Sequence, residues 1–138
     1  MIDLGSKNVI GKTSSKENKD EAEKNLAVVW KILVNENCEF LRIYISPVID
    51  VFLNLPATTI DNKWTKFLEY IHPEYKSYFL DSIQKQFQSI DEIRELNFKM
   101  IQEGGNVLDC FLMFRFEKED DRIYFIGALH NLIKNIPC

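Results

Sequence analysis

The chain has 138 residues, 46% hydrophobic and 12% aromatic with ten Phe, enough for one domain with an aromatic-rich core. Five Gly and four Pro are too few for a fibrous or linker-dominated chain. The net charge is −4 and the basic residues are interleaved with acids, which argues against a phosphate-binding surface and a nucleic-acid partner.

The first dozen residues carry no hydrophobic period. Ser14-Ser15-Lys16-Glu17 then has the Ser-x-x-Glu spacing of a capping box and opens a predicted helix from Lys16 to Leu26. Only Ala22 and Leu26 are apolar there, so the helix must lean on something else. Ala27 to Val34 is apolar and β-branched around Trp30, Asn35-Glu36-Asn37 reads as a turn, and Phe40 to Ser46 as a second strand. Ser46-Pro47 caps a short helix, Val48 to Leu53, and Asn54 follows as the non-glycine residue best able to adopt left-handed geometry.

Trp64, Phe67, Leu68 and Ile71 fall at i, i+3, i+4 and i+7 on one helical face. His72-Pro73 ends that face and starts the next helix, with Glu74 favourable near the positive end of the dipole. Tyr75, Phe79, Ile83 and Phe87 continue at a spacing of four to Ser89. Then the period changes: Leu96, Phe98 and Met100 alternate with polar neighbours, a half-buried strand. Glu103-Gly104-Gly105-Asn106 and Glu119-Asp120-Asp121 are hairpin turns. Val107 to Phe116 and Ile123 to Ile133 are apolar on both parities, which predicts strands needing cover on both faces. Two strands, three or more helices and three strands predict an α+β domain: a five-stranded antiparallel sheet with helices on one face and an N-terminal flanking helix. The predicted division is 1–26 as a flexible N-terminus and flanking helix, 27–134 as the domain and 135–138 as a short tail.

Tyr44-Ile45-Ser46-Pro47, Ile71-His72-Pro73-Glu74 and the string Phe125 to Ile133 stand in the order of the "Y-x-S-P", "HP-E/D-D" and "G-x-x-x-D-I-T" signals of PAS domains. From about Ala27 to Ile133 the chain resembles a PAS sensor domain. The resemblance implies a signalling role and a cavity between helices and sheet. It also implies a segment before the first strand that packs on the sheet or on a partner subunit. Where such domains read Asp-Ile-Thr, this chain has Asn131-Leu132-Ile133.

Asn37-Cys38-Glu39-Phe40-Leu41-Arg42 is similar to the motif of LOV domains, PAS relatives whose cysteine forms an adduct with flavin. Here Cys38 enters the second predicted strand rather than a later helix. Leu129 stands where those domains place a flavin-binding glutamine, and a leucine leaves the flavin amide edge unpaired. No flavin is expected. His72 is the type of residue that ligates haem in some PAS sensors, but a helix-start pair explains it, and no haem or metal is expected. No catalytic motif is present; Asp109 interrupts an apolar strand, and a solvent-facing rim position explains it. Trp64, Phe67, Tyr78, Phe79, Phe98, Met100, Phe125 and Leu129 are expected around the space between helices and sheet. They either line a pocket for a small apolar or aromatic ligand or fill the core themselves, and filling is the favoured reading. Gly127 is expected to permit close approach of a helix to the sheet.

Cys38, Cys110 and Cys138 show no C-x-x-C spacing, and no apolar run is long enough to cross a bilayer. The expected setting is cytoplasmic, without membrane insertion. The expected function is that of a sensory module in a bacterial-type signalling protein, without catalysis of its own. It would act by ligand binding, by homodimerisation through the N-terminal helix and outer sheet face, or by both. The alternatives are a small enzyme or carrier using Asp109 and His130, and a purely structural dimerisation module.

Overall fold

The computed structural model describes residues 27–132. The predicted helix over 16–26 and residues 133–138 lie outside the described residues. The elements are β1 (Ala27–Val34), β2 (Phe40–Ile45), α1 (Val48–Phe52), α2 (Trp64–Leu68), α3 (Pro73–Gln86), β3 (Arg94–Ile101), β4 (Val107–Glu119) and β5 (Arg122–Asn131). The strands form one sheet in the order β2-β1-β5-β4-β3, every neighbouring pair antiparallel. The first and last strands therefore meet at its centre.

Strand alternation decides which face is inside. Val28, Trp30, Ile32 and Val34 of β1 are buried between exposed Ala27, Val29 and Lys31. Cys110, Leu112, Phe114 and Phe116 of β4 and Phe125 and Leu129 of β5 share that face. The helices cover it with Ile49 and Phe52, Trp64 and Phe67, and Phe79 and Ile83. The other parity of β4 and β5 is half-buried or exposed, and no described element covers it; the flanking helix expected on that side lies outside the described residues. β4 also runs past Phe116 to Glu119, because the tight turn at Asp120 (φ 55°) lets the hairpin pair to its end.

The punctuation residues differ in how they act. At the start of α1 the N-cap position falls on Pro47 and no side-chain cap bond forms, so Ser46 does not cap it as expected. Asn54 is left-handed (φ 63°), as its type allows. His72 caps α3, its Nδ1 accepting the Glu74 N–H at 3.1 Å, with Pro73 as the first helical residue. α2 is shorter than its apolar face predicts. It stops at Leu68, and Ile71 pairs as an isolated bridge with Met100. His72 N–H donates to Lys99 O (2.9 Å) and Ile101 N–H to Tyr70 O (2.8 Å), so this segment shields the free edge of β3. On the opposite edge, Asn62 Oδ1 accepts the Ile45 N–H at 2.7 Å.

Gly127 has a different use from the one expected. It pairs across strands with Trp30, and a Cβ there would stand 2.4 Å from Trp30 Cε2 and 2.6 Å from Nε1. The close approach is that of an indole ring from the neighbouring strand, not of a helix. Glycine leaves the hollow in which the ring lies.

Candidate functional site

Seven of the eight expected pocket residues converge. Trp64, Phe67, Phe79, Phe98, Met100, Phe125 and Leu129 are all buried on the helix-facing side of the sheet. Tyr78 does not join them. It is 46% exposed, because Phe79 and Ile83 hold the inward face of α3 and Tyr78 lies about 100° round the helix from Phe79. Phe40, Phe114, Phe116 and above all Trp30 belong to the same cluster. The alternation of Val28, Trp30, Ile32 and Val34 is the sequence signal that places Trp30 inside.

These rings lie against one another. Trp64 stacks on Phe67 with centroids 4.9 Å apart, and Trp30 meets them at 5.3 and 5.4 Å in T-shaped contacts. Phe125 joins Trp30 at 5.6 Å and stacks on Phe116 at 5.1 Å, and Phe79 reaches Phe98 at 5.0 Å. Such pairs add to the burial energy of each ring. The space where the sequence allowed a ligand thus holds the chain's own aromatic side chains. Trp30 Nε1 is buried there without a hydrogen-bond partner. The surrounding ring faces can offer it only weak N–H···π contact.

Open concavities lie around this core. Phe40, Trp64, Leu80, Ile83, Gln84 and Cys38 line a recess of about 460 Å³ at the mouth between β2 and the helices. Cys38 sits in the β1–β2 turn with φ 61° rather than in the strand; Asn35 Oδ1 accepts the N–H groups of Asn37 and Glu39, each at 2.9 Å, and shapes that turn. Burial raises the Cys38 thiol above its ordinary range. On the uncovered sheet face, Val29, Ile93, Met113, Ile126 and Ala128 surround a shallow recess of about 230 Å³. Next to it the face turns polar: Lys31 Nζ sits 4.5 Å from the Tyr124 ring centroid and 3.4 Å from Glu119, with Arg42, Tyr44 and Arg122 around. Arg115 donates to Glu117 and holds its carboxyl below the usual range.

The residues weighed for chemistry are engaged otherwise. Asp109 pairs with Lys99 across β3 and β4, and that hydrogen bond raises the Lys99 ammonium. His130 lies over Phe111, ring centroids 6.4 Å apart, on the uncovered face. His72 spends one ring nitrogen on its cap. Among the described residues no group of three or more His, Cys, Asp or Glu could hold a metal ion, and no helix is long and apolar enough to cross a membrane.

No protein-family model matches the sequence, and no curated protein matches it either. The fold has clear likenesses among solved structures. The N-terminal domain of a diguanylate cyclase with PAS/PAC sensor from Marinobacter aquaeolei is 20% identical; the match covers 76% of this chain and 94% of that one, with a TM-score of 0.61. A sensory box histidine kinase/response regulator from Burkholderia thailandensis is 13% identical, covering 86% of this chain and 84% of that one, with a TM-score of 0.57. The PAS domain of an HTR-like protein from Haloarcula marismortui is 10% identical, covering 87% and 94%, with a TM-score of 0.52. Strand order and the described helices on a single face agree with these likenesses: the chain has the PAS fold.

Proposed function

We propose that the chain is the sensory module of a bacterial-type signalling protein, that it has no catalysis of its own, and that it acts chiefly through protein contact on the open face of its sheet. The observation that carries this reading is the apolar half of that face. Val29, Ile93 and Met113 are 48%, 59% and 37% exposed, beside Ile126 and Ala128. Contiguous exposed apolar surface of this kind marks an interaction site. Solved neighbours of the same fold include a sensory box kinase and a cyclase with a PAS/PAC sensor, which agrees with a module that passes a signal on. The partner fitting the reading best is a second copy, since a two-fold pairing buries the same patch on both chains. Segment 16–26 would border that dimer interface.

Ligand binding is the second arm of the proposal. The recess at the mouth of the core, between Phe40, Trp64 and Ile83, is the place on the helix side where a small apolar or aromatic molecule would enter. The free thiols of Cys38 and Cys110 suit the reducing cytosol in which the reading sets the module.

Light scattering over a wide concentration range tests the dimer. A monomer–dimer equilibrium is expected, and Met113→Asp or Ile126→Asp should shift it at least tenfold towards monomer with the fold intact by circular dichroism. A wild-type chain that stays monomeric throughout would remove the basis for this mechanism. An enzyme or carrier reading would need Asp109 and His130 to share a pocket, and neither lines a recess described above.

A further inference from the structure

A separate groove of about 250 Å³ lies where β2 runs into α1 and the loop that follows it. Tyr44, Pro47, Val51 and Leu55 give it apolar walls, and Asp50 and Asp61 line it too. The frame is tied in place: Asn62 Oδ1 accepts the Ile45 N–H at 2.7 Å, and the Asp50 carbonyl accepts the Leu55 N–H at 2.8 Å. Tyr44 and Val51 nevertheless remain 51% and 54% exposed, so the groove is open to entry.

Asp50 is the unusual member. Among the described residues it is the only Asp, Glu, Lys or Arg that is buried, at 4% exposure. Its Oδ1 accepts the Ile60 N–H at 3.0 Å. Its other oxygen accepts no hydrogen bond from any described residue, and no described Lys or Arg lies within ion-pair distance. Nor is that oxygen sealed off, as the orphaned nitrogens of Trp30 and Arg94 are, so it opens on the groove that Asp50 lines. A carboxylate has about four acceptor sites, and a buried one served by a single neutral donor keeps most of its demand unmet.

A cation carrying N–H donors would meet that demand. Asp61, exposed and left-handed (φ 44°), adds a second carboxylate at the rim. A metal ion fits poorly, because hard cations take several oxygen ligands, whereas no group of three or more acidic, His or Cys residues gathers among the described residues and most of the wall is apolar. An organic ammonium fits both halves: its donors suit the carboxylates, and its hydrocarbon part suits Tyr44, Pro47, Val51 and Leu55. A cavity of about 150 Å³ accepts benzene, so the groove has room for about ten non-hydrogen atoms.

We propose that this groove binds a small primary amine bearing one aromatic or branched apolar group, its ammonium donating to Asp50 and Asp61. The site lies apart from the recess at the mouth of the core and from the apolar outer sheet face. It therefore stands if both readings given above fail.

Phenethylamine and its neutral counterpart, phenethyl alcohol, test it, each titrated into the isotope-labelled full chain and followed by amide chemical shifts. Saturable shifts confined to residues 44–62 are expected, with the amine bound at least about tenfold more tightly than the alcohol. Asp50→Asn keeps an acceptor for the Ile60 N–H and should erase that preference, and Asp61→Asn should reduce it. No saturable shift over residues 44–62, equal affinity for amine and alcohol, or a preference that survives Asp50→Asn would overturn the proposal. Shifts gathered instead at Phe40, Trp64 and Ile83 would overturn it while supporting ligand entry at the core mouth. Should Asp50→Asn fold poorly, the wild-type comparison of amine with alcohol and the Asp61→Asn variant still decide.

Discussion

Trp30 and Gly127 form one unit in two residues. The indole fills the hollow that a missing Cβ leaves, and a methyl group at 127 would meet rigid ring atoms at 2.4 to 2.7 Å. A ring wedged among Trp64, Phe67 and Phe125 has nowhere to retreat. Gly127→Ala should therefore cost about 1–3 kcal/mol by overpacking, measured by urea unfolding. The same substitution should cost clearly less in a Trp30→Phe background, giving a coupling in the double-mutant cycle. Equal costs in both backgrounds would mean that the indole is not what Gly127 accommodates. Cys110 offers a second test. Burial, and then the nearby Asp109 charge, push its thiol from 9.0 up to about 12. The folded state holds that proton more tightly than the unfolded chain does. Stability from this group is thus complete below about pH 9 and falls as pH rises towards 12, by at most about 1.4 kcal/mol per pH unit. Unfolding measured at pH 8 and again above pH 10 should show an alkaline loss that is smaller in Cys110→Ala. The same loss in both proteins would refute it.

At the scale of elements, the sequence was legible where period and punctuation agree. The order of strands and helices, the two hairpin turns, the His72-Pro73 helix start and the left-handed Asn54 all follow from local chemistry. That seven of the eight residues expected between helices and sheet are buried there was legible, because helical and strand periods aim side chains in known directions. Tyr78 went astray since an aromatic type is no substitute for its angular position on α3. Trp30 was missed as a centre because its role depends on Gly127, a residue 97 positions away that only pairing brings opposite. The loop between α1 and α2 was least legible, since nothing periodic governs it. It is organised by polar contacts at long spacing: Asp50 is buried and its Oδ1 takes the Ile60 N–H, ten residues on. Asp50→Ala leaves that buried donor unpaired, at about 1–3 kcal/mol. Amide exchange over residues 55–63 should quicken in the Ala variant, and Asp50→Asn, which keeps an acceptor, should lose less. If Asn is as damaging as Ala, charge rather than hydrogen bonding holds the loop.

The whole molecule divides its apolar surface between two uses. On the helix side of the sheet it is spent inward, ring against ring. On the other side it faces out, over Val29, Met113 and Ile126, where no described element covers it. A domain built this way offers a ligand or partner its surface more readily than its interior, because a packed core must first open before it can bind. Phe67 lies at the crossing of Trp30, Trp64 and Phe79, fully buried, so its truncation is the cleanest way to measure how full the interior is. Phe67→Ala should cost about 3–5 kcal/mol, the lost transfer energy plus a cavity that rigid neighbours cannot close. Benzene or indole should then bind the vacated space and raise the melting temperature of the variant, by mass action on the folded state alone. The wild-type chain should show no such rise at the same ligand concentration. A wild type stabilised as much as the variant would reveal interior room that the packed rings deny, and would favour the ligand-binding arm of the proposal over contact on the open sheet face.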